Sequence, residues 1–272
     1  MSYKLIALDL DGTLTNTQKE ITPKTKDILI ELAKKGIKIV LASGRPTAGI
    51  YHEANLLNFQ EIGGYILSFN GAKIINYPSM EVIYENKFGK DMIDSIYNRA
   101  KQYNLAVLTY TDQEVITEDE SDEYVIVEGK INRMPLHHVD DFKGYVNYDV
   151  NKLLLTGKPD YIASIVDEFK QPYGDSMSIY RSAPYFIEVM GNGIDKAQSL
   201  DVLAKSLGIK QSEVIAFGDG YNDLGMIKYA GFGVCMANGV DEVKELSDYV
   251  TLSNDEDGIY ECLKMLEGQG EI

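Results

Sequence analysis

The sequence has few cysteines, comparatively few basic residues and no long apolar run. Cys235 and Cys262 are its only cysteines and lie far apart, so they match no paired metal-ligand spacing. They are predicted to be reduced, buried thiols. No apolar run approaches the roughly 18 residues that a membrane span needs. Met1–Lys4 leads into an apolar strand without the pattern of a signal peptide, so we expect a cytoplasmic protein.

The charge balance is strongly acidic. There are 26 basic and 42 acidic residues, which gives a formal net charge of -16. This excess argues against binding to nucleic acid or to an anionic membrane surface. An anionic substrate must therefore be met by positive charge concentrated at one place.

The 272 residues predict one large domain or a core with an inserted second domain. Strand and helix patterns alternate in the flanks, residues 1–83 and 191–272, which predicts an α/β fold with a doubly wound, mostly parallel, Rossmann-like sheet. The middle, residues 84–190, mixes hairpins with helices and predicts an inserted α+β domain.

Two carboxylates, Asp9 and Asp11, follow the apolar run that begins at Leu5. The two-residue period of a strand predicts that both leave it on the same face. Like charges at that distance are costly unless a cation or a shared proton relieves them, so the pair is a candidate metal and acid/base site. The alternatives are a hairpin turn and an EF-hand loop. The chain continues toward a helix, however, and Leu14 stands where an EF-hand needs glycine.

A second acidic loop, with Asp219, Asn222 and Asp223, follows another apolar strand. Alone, such a loop is typical of a solvated turn. If it meets the Asp9 pair at one sheet edge, Asp219 and Asp223 become candidate ligands of a hard cation. All-oxygen ligation favours magnesium.

Candidate phosphate-binding groups stand at two further places. Ser43, Gly44 and Arg45 follow the second strand, and Lys196 lies at a helix start, where a lysine is otherwise often only exposed. A phosphoryl group in transit needs its oxygen charges neutralised, which such groups can do.

These motifs, in this order, resemble the haloacid dehalogenase-like hydrolases, and within them the Cof-type sugar-phosphate phosphatases, over nearly the whole chain. The resemblance implies that Asp9 is the nucleophile and forms an aspartyl-phosphate, while Asp11 protonates the leaving alcohol and then deprotonates water. It implies magnesium held by Asp9, the Asp11 backbone carbonyl and Asp219, with support from Asp223. The phosphoryl group would be bound by Ser43, Gly44, Lys196 and Asn222.

The resemblance also implies that the insert is a cap domain that closes over the site and selects the substrate. Candidate substrate contacts are Arg45, Asn70 and Gly71 in the core and Arg181 in the insert. We therefore expect a magnesium-dependent phosphatase of small phosphomonoesters such as sugar phosphates, a monomer or weak homo-oligomer without nucleic-acid or membrane partners. The alternatives are a phosphosugar mutase of the same superfamily and a non-catalytic regulatory protein that binds a phosphate ligand.

Overall fold

The computed structural model describes residues 2–272, and the chain forms two compact units. The first unit contains the chain up to Tyr84 together with Asp195–Ile272, and the second unit is Glu85–Ile194. That the predicted insert, residues 84–190, acts as a cap domain stays a prediction.

The strands and helices are numbered in chain order. The strands are β1 (Leu5–Leu8), β2 (Lys38–Ala42), β3 (Gly64–Ser68), β4 (Lys73–Tyr77), β5 (Glu81–Glu85), β6 (Ala106–Tyr110), β7 (Val115–Thr117), β8 (Leu136–His138), β9 (Lys152–Thr156), β10 (Met177–Ala183), β11 (Phe186–Gly191), β12 (Val214–Gly218), β13 (Phe232–Cys235) and β14 (Tyr249–Val250). The helices are α1 (Pro23–Lys34), α2 (Tyr51–Leu56), α3 (Phe59–Ile62), α4 (Lys90–Gln102), α5 (Glu123–Asn132), α6 (Phe142–Tyr145), α7 (Pro159–Lys170), α8 (Lys196–Ser206), α9 (Leu224–Tyr229), α10 (Asp241–Leu246) and α11 (Gly258–Gly268).

The first unit is built on a sheet with the strand order β14-β13-β12-β1-β2-β3-β4-β5. Neighbouring strands from β14 to β3 run parallel, whereas β4 runs antiparallel to β3. The central strand β1 is apolar at every position and fully buried. Such an unbroken apolar run is typical of a parallel strand covered on both faces. The predicted α/β fold with a mostly parallel sheet is confirmed.

Helices cover both faces of this sheet. Ile6 and Leu8 belong to a core that includes residues of α1 and α11, whereas Leu5 and Ala7 belong to a core that includes residues of α8 and α9. The residues of β1 belong alternately to the two cores, because successive side chains of a strand point to opposite faces of the sheet. With both faces covered, the polar loops collect at the edge where the parallel strands end.

The second unit has a mostly antiparallel sheet with the order β10-β11-β9-β6-β7-β8. Its apolar core includes residues of α4 and α7. Helix α5 begins at the end of an acidic stretch, Glu118–Glu123. Asp122 caps this helix by accepting hydrogen bonds from the N–H groups of Tyr124 and Val125.

Within residues 2–272, no helix combines the length and the apolar character needed to cross a membrane. Cys235 and Cys262 are both buried and free.

Candidate active site

The chain turns sharply where β1 ends. The hydroxyl and the N–H of Thr15 both donate to the carbonyl oxygen of Leu10, each at 2.9 Å. Gly12 has a φ of +89°, and a Cβ at this position would lie 2.5 Å from a carboxylate oxygen of Asp219. The turn therefore favours glycine on both counts. It also packs the loop after β1 directly on the loop after β12.

The strand from which Asp9 and Asp11 were expected to leave on one face ends before either residue. Strand β1 ends at Leu8, so Asp9 follows the last strand residue and Asp11 already lies in the turn. The two-residue period does not extend through a turn, and the two carboxylates consequently have different partners.

Lys196 connects Asp9 to the second acidic loop. Asp195 caps α8 by accepting the N–H of Ala197, which fixes Lys196 as the first helical residue. The Lys196 side chain is fully buried, and its Nζ donates to Oδ1 of Asp9 at 2.6 Å and to Oδ1 of Asp223 at 2.7 Å. Burial acts to lower the pKa of Lys196, but Asp223 and Asp9 outweigh it and hold that pKa above its ordinary value. The side chain is therefore an ammonium ion.

Asp9, Asp219 and Asp223 form an acidic cluster, in which one carboxylate oxygen of each residue lies within 4.8 Å of the others. Burial and then the charge of Asp223 raise the pKa of Asp9 well above its ordinary value. Burial also raises the pKa of Asp219 to about 6, although a 2.7 Å hydrogen bond from Thr13 opposes the shift. Three carboxylates thus share one ammonium group. This excess of negative charge and the all-oxygen donor set fit a hard cation such as Mg²⁺.

Asp223 also organises the loop after β12. Its Oδ2 accepts the backbone N–H groups of Asp219 and Gly220, both at 3.0 Å, while its Oδ1 accepts Lys196. Both oxygens are therefore engaged, and the carboxylate holds Asp219 and Lys196 in place.

Asp11 is held by two cations. Arg45 donates from Nε to Oδ2 at 2.8 Å and from a terminal nitrogen to Oδ1 at 2.6 Å, and Lys19 donates to Oδ1 at 2.8 Å. Burial acts to raise the pKa of Asp11, but Arg45 and then Lys19 outweigh it and hold that pKa below its usual range. Asp11 is therefore a carboxylate in this arrangement.

The loops after β2 and β3 meet beside this turn. Because β1, β2 and β12 are parallel neighbours, Ser43 follows β2 at the same sheet edge at which Asp9 follows β1. Ser43 is buried, and its hydroxyl accepts the N–H of Arg45 at 3.2 Å. A Cβ on Gly44 would lie 3.1 Å from the amide of Asn70, whose oxygen accepts a hydrogen bond from Asn222 at 3.2 Å.

Two further candidates are Gly71 in the first unit and Arg181 in the second unit. The carbonyl oxygen of Gly71 accepts the hydroxyl of Ser199 at 2.6 Å, so this residue packs against α8. Its φ of +106° and the same close approach leave no room for a side chain. Arg181 is exposed on β10 of the second unit.

Sequence reasoning missed three residues of the site. Thr13 lies within the Asp9 motif. A residue with a hydroxyl group two positions after Asp11 was a signal in the sequence that could have identified it. Lys19 and Glu53, which contacts Arg45 at 3.3 Å, gave no such signal. Their contacts depend on how the turn after β1 and the helix α2 are placed.

The chain is similar to known proteins over nearly its whole length. A family model described as haloacid dehalogenase-like hydrolase matches residues 6–263. A haloacid dehalogenase-like hydrolase from Bacteroides thetaiotaomicron has a crystal structure with a TM-score of 0.94 and 45% identity, over 97% of this chain and 100% of that one. The Bacillus subtilis (strain 168) protein named "Putative phosphatase YxeH" is 33% identical over 97% of this chain and 98% of its own length. The subclass IIB sugar phosphatase BT4131 has a TM-score of 0.78 and 25% identity, over 99% of this chain and 100% of its own.

Proposed function

The chain belongs to the haloacid dehalogenase-like hydrolase family and is a phosphatase, and from this premise we propose that it hydrolyses small phosphomonoesters with magnesium through an aspartyl-phosphate on Asp9. Sugar phosphates are the proposed substrate class, and the likeness to the sugar phosphatase BT4131 supports them.

One observation carries the proposal. A buried lysine bridges Asp9 and Asp223 while Asp219 completes the acidic cluster, and all of these residues lie where parallel strands end or a helix begins. This arrangement supplies a carboxylate nucleophile, a fixed positive charge and an oxygen-lined position for a cation in one place.

Magnesium would be held by the side chains of Asp9 and Asp219 and by the backbone carbonyl of Asp11, with Asp223 in support. When bound, the ion would neutralise negative charge on the phosphoryl oxygens.

In the first step, a carboxylate oxygen of Asp9 attacks phosphorus. A bond forms between Asp9 and phosphorus as the bond from phosphorus to the leaving oxygen breaks. Asp11 in its protonated form gives its proton to that oxygen, so the product leaves as an alcohol. Asp11 is ionised while Arg45 and Lys19 both hold it, so it must first take up a proton from solvent. We expect the exposed Lys19 contact to weaken when substrate binds, which makes that uptake easier.

In the second step, Asp11 takes a proton from water, and the resulting hydroxide oxygen attacks phosphorus. The bond from phosphorus to Asp9 breaks, and inorganic phosphate leaves. The Asp9 carboxylate is thereby restored.

Lys196, the Ser43 hydroxyl, the Gly44 N–H and Asn222 bind the phosphoryl oxygens in this proposal. Lys196 uses two of its three ammonium protons on Asp9 and Asp223. The third proton is then available to a phosphoryl oxygen, so the same lysine orients the nucleophile and binds the group being transferred.

The proposal is tested by turnover of p-nitrophenyl phosphate and of a panel of hexose and pentose phosphates in magnesium buffer. We expect inorganic phosphate to be released in amounts that match the alcohol formed. Interconversion of sugar phosphates without phosphate release would identify a mutase instead. Binding without any turnover would identify a regulatory protein.

Removal of the metal gives a second test. EDTA is expected to stop phosphate release, because the excess charge of the acidic cluster would then repel an anionic substrate, and added Mg²⁺ should restore it. Activity that is indifferent to both treatments would remove the cation from the mechanism.

A further inference from the structure

We propose that Glu53 is a positioning residue for Asp11 and acts through the guanidinium group of Arg45. The inference rests on the proposed function, because it concerns the carboxyl group that transfers the protons. It adds a residue that the sequence analysis did not include among the candidate site residues.

Arg45 is fixed on two sides. One edge of its guanidinium group makes the two hydrogen bonds to Asp11, at 2.8 and 2.6 Å. The other terminal nitrogen donates to the carbonyl oxygen of Gly49 at 3.2 Å and to Oε1 of Glu53 at 3.3 Å. The Arg45 side chain is only 10% exposed. These four hydrogen bonds use most of its five N–H donors, which favours a role in holding Asp11 over a role in binding substrate.

Glu53 is a buried acidic residue, and within residues 2–272 one of its oxygens lacks a partner. It lies on α2 with 2% of its surface exposed, and among the described residues its Oε2 has no hydrogen-bond partner. A buried, half-satisfied carboxylate costs folding free energy unless a nearby cation compensates it. Arg45 is that cation, so Glu53 and Arg45 hold each other in place.

The second cation on Asp11 cannot replace this support. Lys19 has a side chain that is 59% exposed, and its flexible stem ends in a point charge. The planar guanidinium group binds both carboxylate oxygens at once and therefore restricts their orientation. Proton transfer requires the carboxyl group to stay within hydrogen-bond reach of the leaving oxygen. Loosening Arg45 should thus impair proton transfer more than phosphoryl binding.

The leaving group makes this effect measurable. p-Nitrophenolate departs without needing a proton, whereas a sugar or alkyl alkoxide needs one. For Glu53→Gln, we expect kcat/KM for an alkyl phosphate to fall about tenfold. This loss is smaller than the roughly 10²–10⁴-fold that general acid catalysis supplies, because Asp11 is still present but is held less firmly. For p-nitrophenyl phosphate, kcat/KM should change less than about twofold. Arg45→Lys should show the same pattern with a larger ratio, because it loses the two-oxygen contact.

Glu213→Gln is the control, because Glu213 is a partly buried glutamate that also pairs with a cation, Lys4 at 2.6 Å. It should leave both substrates unchanged. Thermal unfolding of each variant identifies loss of fold, and Glu53→Gln keeps the shape of the side chain in case Glu53→Ala does not fold.

Three outcomes would overturn the inference: equal losses for both substrates, a raised KM for both with unchanged kcat, or no change in either. The second would make Arg45 a substrate contact. If the unmodified protein releases no phosphate, or if Asp9→Asn retains activity, the proposed function fails as well. If the Glu53 and Arg45 variants lose activity equally on both substrates while the unmodified protein is active, only this inference fails and the proposed function stands.

Discussion

Asp9 and Asp11 are two residues apart in one loop, yet their surroundings differ in almost every respect. Asp9 is 5% exposed, contacts the buried Lys196 and lies beside two further carboxylates. The side chain of Asp11 is 39% exposed and is held by two cations. The pKa of Asp9 is raised by burial and Asp223, while Arg45 and Lys19 overcome burial and lower the pKa of Asp11.

The contrast fits the two roles that we propose for these carboxylates. A nucleophile benefits from burial and a fixed orientation, and Lys196 holds the buried Asp9. A proton-transfer group must reach both a leaving oxygen and water, which suits the partly exposed Asp11. In the proposed mechanism, each role therefore depends on the side chains that surround the carboxylate.

The largest effect is expected from Asp9→Asn. The amide cannot form the phosphoryl ester, so phosphate release from every substrate should fall to the background rate. The protein should remain folded, because asparagine has the same shape and removes an unfavourable buried charge. Asp27→Asn, at an exposed position of α1, is the control and should behave as the unmodified protein does. Undiminished turnover in Asp9→Asn would exclude Asp9 as the nucleophile.

Asp11→Asn should have a smaller effect that depends on the leaving group. We expect kcat/KM for an alkyl phosphate to fall about 10²–10⁴-fold, since the alcohol then leaves without a proton, and kcat/KM for p-nitrophenyl phosphate to fall much less. Steady-state kinetics on the two substrates measures the contrast with Asp9→Asn directly. Equal losses on both substrates would remove the distinction between the two carboxylates.

The smallest effect is expected from Thr13→Val, which keeps the shape of the side chain but removes its hydrogen bond to Asp219. Because groups that orient metal ligands tune metal affinity, the Mg²⁺ concentration for half-maximal activity should rise about tenfold. Activity at saturating Mg²⁺ should be nearly unchanged. Thr17→Val, in the same segment but bonded to Asp255, serves as the control. An unchanged Mg²⁺ requirement would mean that Asp219 does not need this support.

The sequence predicted the parallel core well, because its central strands are apolar runs and two of its helices, α1 and α8, begin at a capping side chain. Thr22 and Pro23, for example, mark the start of α1 as N-cap and first helical residue. Helix α5 was missed because its apolar residues, around Val125, follow one another and lack a helical period. Its N-cap, Asp122, was hidden in a run of acidic residues.

The candidate site shows the same limit. Local patterns identified Asp9, Asp219 and Lys196, because each follows a strand or opens a helix. The two-residue period failed at Asp11, since the strand had already ended. Glu53 could not be found from its own segment. Its importance comes from contact with Arg45, eight residues earlier, and that contact depends on tertiary packing.

Trapping the phosphoenzyme tests the proposed nucleophile, Asp9, without relying on rates. A reaction with p-nitrophenyl phosphate and Mg²⁺ is quenched in acid during turnover, and the peptides are analysed by mass spectrometry. We expect the mass of one phosphoryl group on Asp9. This label should be absent in Asp9→Asn and should accumulate in Asp11→Asn, because water is no longer activated. A phosphoryl group on Asp11 or on any other residue, or full turnover with no labelled residue, would contradict Asp9 as the nucleophile.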